Sequence, residues 1–201
     1  MENNRLQKTS AVMDRIFKIA QGFLIAVAVV CAIFIPLVLI LGEKMVAGAS
    51  SLDLGSVKLD LVGDGMQLVN VSTLKPVIAC ELGLYILAFG VGWYLLRVLR
   101  EILAPMKEGR PFESGVSGKI AKLGWTALIG GAIVELAAKV IPYLDVKCYD
   151  LARIFNSEAV EGVSFNFRFF WWVVPVALVL FFLSYVFKYG EALQKESDET
   201  L

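Results

Sequence analysis

The stretch that decides the fold is GFLIAVAVVCAIFIPLVLILG, residues 22–42, which holds no charged side chain. At about 1.5 Å of rise per residue, a helix of this length covers roughly 30 Å, the thickness of a bilayer's hydrocarbon core. Three more apolar runs of that scale follow, at 76–96, 123–144 and 169–187. Only a closed hydrogen-bonding backbone is tolerated in lipid, and runs of this length satisfy it as helices. The sequence therefore predicts an all-α polytopic membrane protein with four transmembrane helices and a small extracellular β element.

Working outward from those runs gives a single membrane domain over 1–201. Spans are expected at about 16–42, 76–100, 117–144 and 168–189. Outer loops fall at 43–75 and 145–167, a cytoplasmic connection at 101–116 and a cytoplasmic tail at 190–201. The chain is 58% hydrophobic and carries 19 basic and 19 acidic residues with no histidine. Distribution is more telling than that zero sum. Twelve of the 19 lysines and arginines lie in the N-terminal segment, the middle connection with its flanks, and the tail. Basic residues stay on the cytoplasmic side, so both termini are expected there. Trp93, Tyr94, Trp125, Tyr185 and Tyr189 fit a cytoplasmic interfacial belt, and Tyr143, Phe169, Trp171 and Trp172 an outer one. The first run exceeds the ~7–15 residues of a signal-peptide core, so it reads as a span although Ala47-Gly48-Ala49 resembles a cleavage site.

The segments between the spans are less uniform. Residues 56–62 and 66–71 alternate apolar and polar side chains around Gly63-Asp64-Gly65, which predicts a β-hairpin. Residues 163–167 repeat the alternation and could add a third strand. Such an element could sense an external ligand or simply cover helix ends. Cys31, Cys80 and Cys148 show no Cys-x-x-Cys spacing and form no obvious framework. Pro36 is expected to disturb the first helix, and the second should end near Pro105. A turn follows at Lys107–Phe112, with Ser114 or Ser117 available to cap the next helix. Arg97 and Arg100 lie on the polar face of an amphipathic stretch. They can snorkel to headgroups or join a docking surface for a cytoplasmic partner.

Glu81, Glu135 and Lys139 are the charges well inside the apolar runs. Ionised groups there are costly and face protein or water. Gly124, Gly131, Glu135 and Ala138 share one helical stripe, and Glu81, Ala88 and Gly92 share another, so both glutamates should lie at helix–helix contacts. Lys139 is placed to pair with Glu135 or to reach Glu81. The cluster is either a packing ion pair or an outward-opening polar pocket for a cation or small ligand. Without histidine there is no His-based triad or HExxH zinc site, and no Gly-x-x-x-x-Gly-Lys-[Ser/Thr] phosphate loop occurs. No catalytic residue, metal or cofactor is therefore expected, and the protein does not read as an enzyme.

Two segments carry a resemblance. Met106-Lys107-Glu108-Gly109-Arg110-Pro111-Phe112, with Ile120-Ala121-Lys122-Leu123-Gly124 after it, resembles the connection between the middle spans of a family of small four-helix bacterial membrane proteins of unknown function. The tail, Val186 through Leu201 (VFKYGEALQKESDETL), resembles that family's ending. Its members are commonly encoded beside a very short Cro/CI-like helix-turn-helix regulator. The resemblance implies a place in the cytoplasmic (inner) membrane of a bacterium, a small cytoplasmic DNA-binding partner and no catalytic residues. The expected docking residues are Arg97, Arg100, Arg110, Pro111, Phe112, Gly190, Leu193, Gln194 and Asp198. The chain itself is not expected to bind nucleic acid, since its basic residues are interfacial and its tail is acidic. The alternative function is small-molecule or ion handling at Glu81, Glu135 and Lys139.

Overall fold

The computed structural model describes residues 2–47, 51–53, 58–60, 71–149 and 171–199. They form α1 (Glu2–Ala47), β1 (Ser51–Asp53), β2 (Lys58–Asp60), α2 (Val71–Lys107), α3 (Val116–Tyr149) and α4 (Val173–Glu199). All four helices are long and apolar enough to cross a membrane. Their outward faces are apolar too: Ile40 is 76% exposed, Phe23 67% and Phe182 67%. Such exposure is untenable in water and ordinary in lipid. The chain is a multi-pass membrane protein in contact with the bilayer.

The helices overrun the expected spans. The polar N-terminal segment and the first span are one helix, because α1 runs unbroken from Glu2 through Pro36 to Ala47. The tail stays helical to Glu199, helped by good helix formers and a Lys195–Glu199 pair one turn apart at 3.7 Å. Pro105 does weaken the end of α2. Lacking an N–H, it cannot serve the Glu101 carbonyl one turn back, and the Lys119 ammonium donates to that oxygen instead, at 3.3 Å. The helix stops two residues later, at Lys107.

The β element differs from the expected pairing. Lys58–Asp60 pairs antiparallel with the upstream Ser51–Asp53, setting Ser51 opposite Asp60, Leu52 opposite Leu59 and Asp53 opposite Lys58. Residue 71 of the expected second strand opens α2, while 66–70 and the third strand at 163–167 lie outside the described residues. Cys31 and Cys80 are free thiols, and the Cys148 side chain also lies outside.

Two compact units are distinguished: residues 1–27, 88–133 and 170–201 in the first, and 28–87 with 134–169 in the second. In the first unit α1 packs on α2, α2 on α3, and α3 on α4. Its core is Val98 and Ile102 from α2 against Val116, Ile120 and Leu123 from α3, with Leu180 and Phe187 of α4 at the edge. Glycines set the spacing. A Cβ at Gly130 would meet Val91 at 2.5 Å, one at Gly124 would meet Phe181 at 2.8 Å, and one at Gly131 would meet Val173 at 2.8 Å. In lipid the hydrophobic effect does not hold helices together, so this close approach and its dispersion contacts matter more.

α1 and α4 each bury one narrow stripe. On α1 the covered positions include 10, 14, 17, 21, 24, 28, 31, 35, 38 and 42, alternating steps of four and three. On α4 they include 173, 177, 180, 184, 187, 191 and 194, again by four and three. That is the seam of left-handed, coiled-coil-like packing. In the second unit, Val38 and Val77 are the buried apolar residues among those described, and Gly42 lies against the Lys75 stem.

Candidate functional site

The connection between α2 and α3 is an elbow fixed at both ends by backbone geometry. At the end of α2, the N–H of Arg110 donates to the Pro105 carbonyl at 3.0 Å, and that of Gly109 donates to Met106 at 3.2 Å. This is a Schellman close with Gly109 in the left-handed region, φ 79°. Gly115, φ 94°, turns the chain into α3. Neither Ser114 nor Ser117 is seen capping α3 through its hydroxyl. Instead, Glu191 of α4 accepts the Ser117 N–H at 2.6 Å, and the Ser184 hydroxyl donates to the Ser117 carbonyl at 2.8 Å. A carboxylate at a helix N-terminus meets an otherwise unserved donor and the positive end of the helix dipole. One helix is therefore capped by another.

The elbow and the end of α4 also meet through their apolar groups. The Phe112 ring lies 5.3 Å from that of Phe187, and it occupies the space a Cβ at Gly190 would need, 2.5 Å away. The two segments singled out by resemblance thus touch. Between them opens a groove of about 860 Å³ lined by Arg110, Phe112 and Glu113 from the elbow and Lys188, Glu191 and Gln194 from α4. Leu193 is half-exposed outside its lining, and Pro111 is partly covered. Asp198 lies in the last turn of α4, its side chain outside the described residues.

Arg97 and Arg100, three residues apart, have different roles. Arg97 is outward-facing, bonded to Glu101 at 3.2 Å, with its guanidinium 5.8 Å from the Trp93 ring centre. Arg100 turns inward to α1, donating to Asp14 at 2.7 Å and to Gln21 at 2.8 Å. Lys107 takes the other Asp14 oxygen at 2.8 Å, and the Gln21 amide donates to the Trp93 carbonyl at 3.2 Å. Arg100 is thus part of a polar clamp between α1 and α2 rather than an open docking residue. Sequence reasoning missed Asp14 and Gln21. Their signal was available: both fall on the four–three stripe that continues from Leu24.

The intramembrane charges lie in the second unit. Lys139 and Glu135 pair one turn apart at 4.0 Å, with side chains 27% and 11% exposed, and the Tyr85 hydroxyl donates to Glu81 at 3.4 Å. The stripe that carries Glu135 meets α4 at Gly124 and Gly131, whereas the stripe that carries Glu81 meets α1, where Gly92 lies against Leu24. Among the described residues, no group of three or more His, Cys, Asp or Glu side chains is gathered to hold a metal ion.

Comparison with family models, with curated proteins and with solved structures finds no match to this chain.

Proposed function

We propose that the protein is a non-enzymatic membrane regulator that engages a small cytoplasmic DNA-binding protein through the groove between the α2–α3 elbow and the end of α4. The observation that carries this reading is the convergence of the two segments. Phe112 seats on Gly190 and Phe187, and Glu191 caps α3, so sequence-distant pieces make one polar, ligand-sized concavity. The excess of basic residues flanking these segments supports a cytoplasmic location for them and for both termini. Input in this reading comes through the outer β element or the Glu81, Glu135 and Lys139 region. The four-helix bacterial family of the sequence resemblance supports the choice of partner.

The test is crosslinking and co-purification from native bacterial membranes. Gln194→Arg and Leu193→Arg alter the groove wall and its rim without removing Glu191. A helix-turn-helix protein recovered with the intact chain and lost with these variants, at matched membrane levels, is the expected result. Recovery with neither chain overturns the proposal.

A second reading, ion or small-molecule handling, has one observation in its favour: the Glu135 carboxylate is largely covered within a spanning helix, beside Lys139. Exchanging the two charges, Glu135→Lys with Lys139→Glu, discriminates. If the exchanged protein folds and keeps its function, the pair is a packing device. Loss of a proteoliposome ion or solute flux in the folded variant would favour handling.

A further inference from the structure

A second groove, of about 600 Å³, opens between α2 and α3 in the first unit, and its lining is almost wholly apolar. Val91, Ala121 and Gly130 make its floor, and Trp125, Ile129 and Ile133 its outward wall. That wall is 56%, 54% and 44% exposed, so it faces the surrounding lipid. The floor asks for nothing polar, because the Thr126 hydroxyl is already given to the Lys122 carbonyl at 2.8 Å.

One end is different. Lys122 lines the groove there, with its ammonium 5.3 Å from the Tyr94 ring centre. Arg97, Glu101 and Lys119 are the charged groups beside it; Arg97 pairs with Glu101, and Lys119 bonds the Glu101 carbonyl. The mouth is therefore net cationic, and Trp125 stands beside it as an interfacial aromatic would. From Lys122 to Ile133 is eleven helical residues, about 16 Å, close to the ~15 Å depth of one leaflet's hydrocarbon.

We propose that this groove is a site for one anionic phospholipid, with its phosphate at Lys122 and one acyl chain lying along Val91, Ile129 and Ile133. A cation at the headgroup level, a dry trough one leaflet deep and an aromatic at the junction match the three parts of that molecule. This inference is independent of the regulatory reading.

The experiment is native mass spectrometry of the full chain released from detergent, titrated with dioleoyl-phosphatidylglycerol or dioleoyl-phosphatidylcholine. The anionic lipid should bind about fivefold more tightly, the equivalent of ~1 kcal/mol for one lysine at an anionic surface. Lys122→Gln should erase that preference by weakening the anionic lipid more than the zwitterionic one. Gly118→Leu should weaken both lipids, because its side chain grows into the groove mouth where a Cβ at residue 118 meets nothing within 4 Å. Both positions are exposed, so unchanged thermal stability in micelles accompanies the expected result. Equal binding of the two lipids to the unaltered chain overturns the proposal. So does a lipid preference that survives Lys122→Gln, binding of both lipids left unweakened by Gly118→Leu, or an Ile129→Cys disulfide between two copies, which would make the groove a chain–chain contact.

Discussion

Removing the Glu191 carboxylate should loosen the start of α3 from a distance of 74 residues in sequence. The Ser117 N–H that Glu191 accepts is 2.6 Å away and belongs to a residue only 8% exposed. Leaving a buried donor unserved costs ~1–3 kcal/mol, and a charged acceptor at a helix N-terminus adds ~0.3–1 kcal/mol from the dipole. Glu191 is only partly covered and lines the open groove, so water can replace part of the bond. Glu191→Ala should then cost about 2 kcal/mol, and Glu191→Gln, which keeps the bond without its charge, about 1 kcal/mol. The assay is urea unfolding in mild detergent followed by tryptophan fluorescence, with segment-resolved amide exchange. Exchange should accelerate at 116–120 while the middle of α3 stays protected. Raising salt should narrow the gap between wild type and Glu191→Gln, since the dipole contribution is screened. Both variants unfolding within about 0.3 kcal/mol of wild type, with no faster exchange at 116–120, would refute the capping argument.

Other substitutions test other contacts. Asp14→Ala removes the acceptor of both Arg100 and Lys107 and should destabilise by about 2–3 kcal/mol, discounted for partial exposure, in the same unfolding assay. Asp14→Glu should recover only part of it. Gly130→Leu drives a side chain into Val91 and should cost about 1–3 kcal/mol, with partial rescue by Val91→Ala. Lys119→Ala should cost about 0.5–1 kcal/mol in the native background and little after Pro105→Ala, which gives the Glu101 carbonyl a backbone donor again.

The spans were legible because hydrophobicity and length act locally and need no knowledge of neighbours. The glycine positions were legible for the same reason: Gly124, Gly131 and Gly92 fell on stripes that the structure places at helix contacts. What could not be read was partnership. Arg97 and Arg100 differ by three residues and look alike in sequence, and only the position of α1 makes one outward and the other a clamp. Asp14 and Gln21 sit in a segment whose polarity resembles that of any solvated extension, so their four–three register carried the information and their chemistry hid it. Glu191 belonged to a tail read for docking, yet it closes α3. The strand at Lys58–Asp60 was found, but its partner was not, since Ser51–Asp53 alternates over too few residues to stand out.

The clamp on Asp14 restricts how α1 can move. Arg100 and Lys107 are seven residues apart on α2, about two turns, and both reach the same carboxylate. Turning α1 about its own axis by one residue's ~100° would carry Asp14 away from both cations and Gln21 away from the Trp93 carbonyl together. These bonds share one face, so they break as a set rather than in sequence. α1 is accordingly keyed to α2 in azimuth, as a shaft is keyed to its hub, and a twist applied to one helix is delivered as torque to the other.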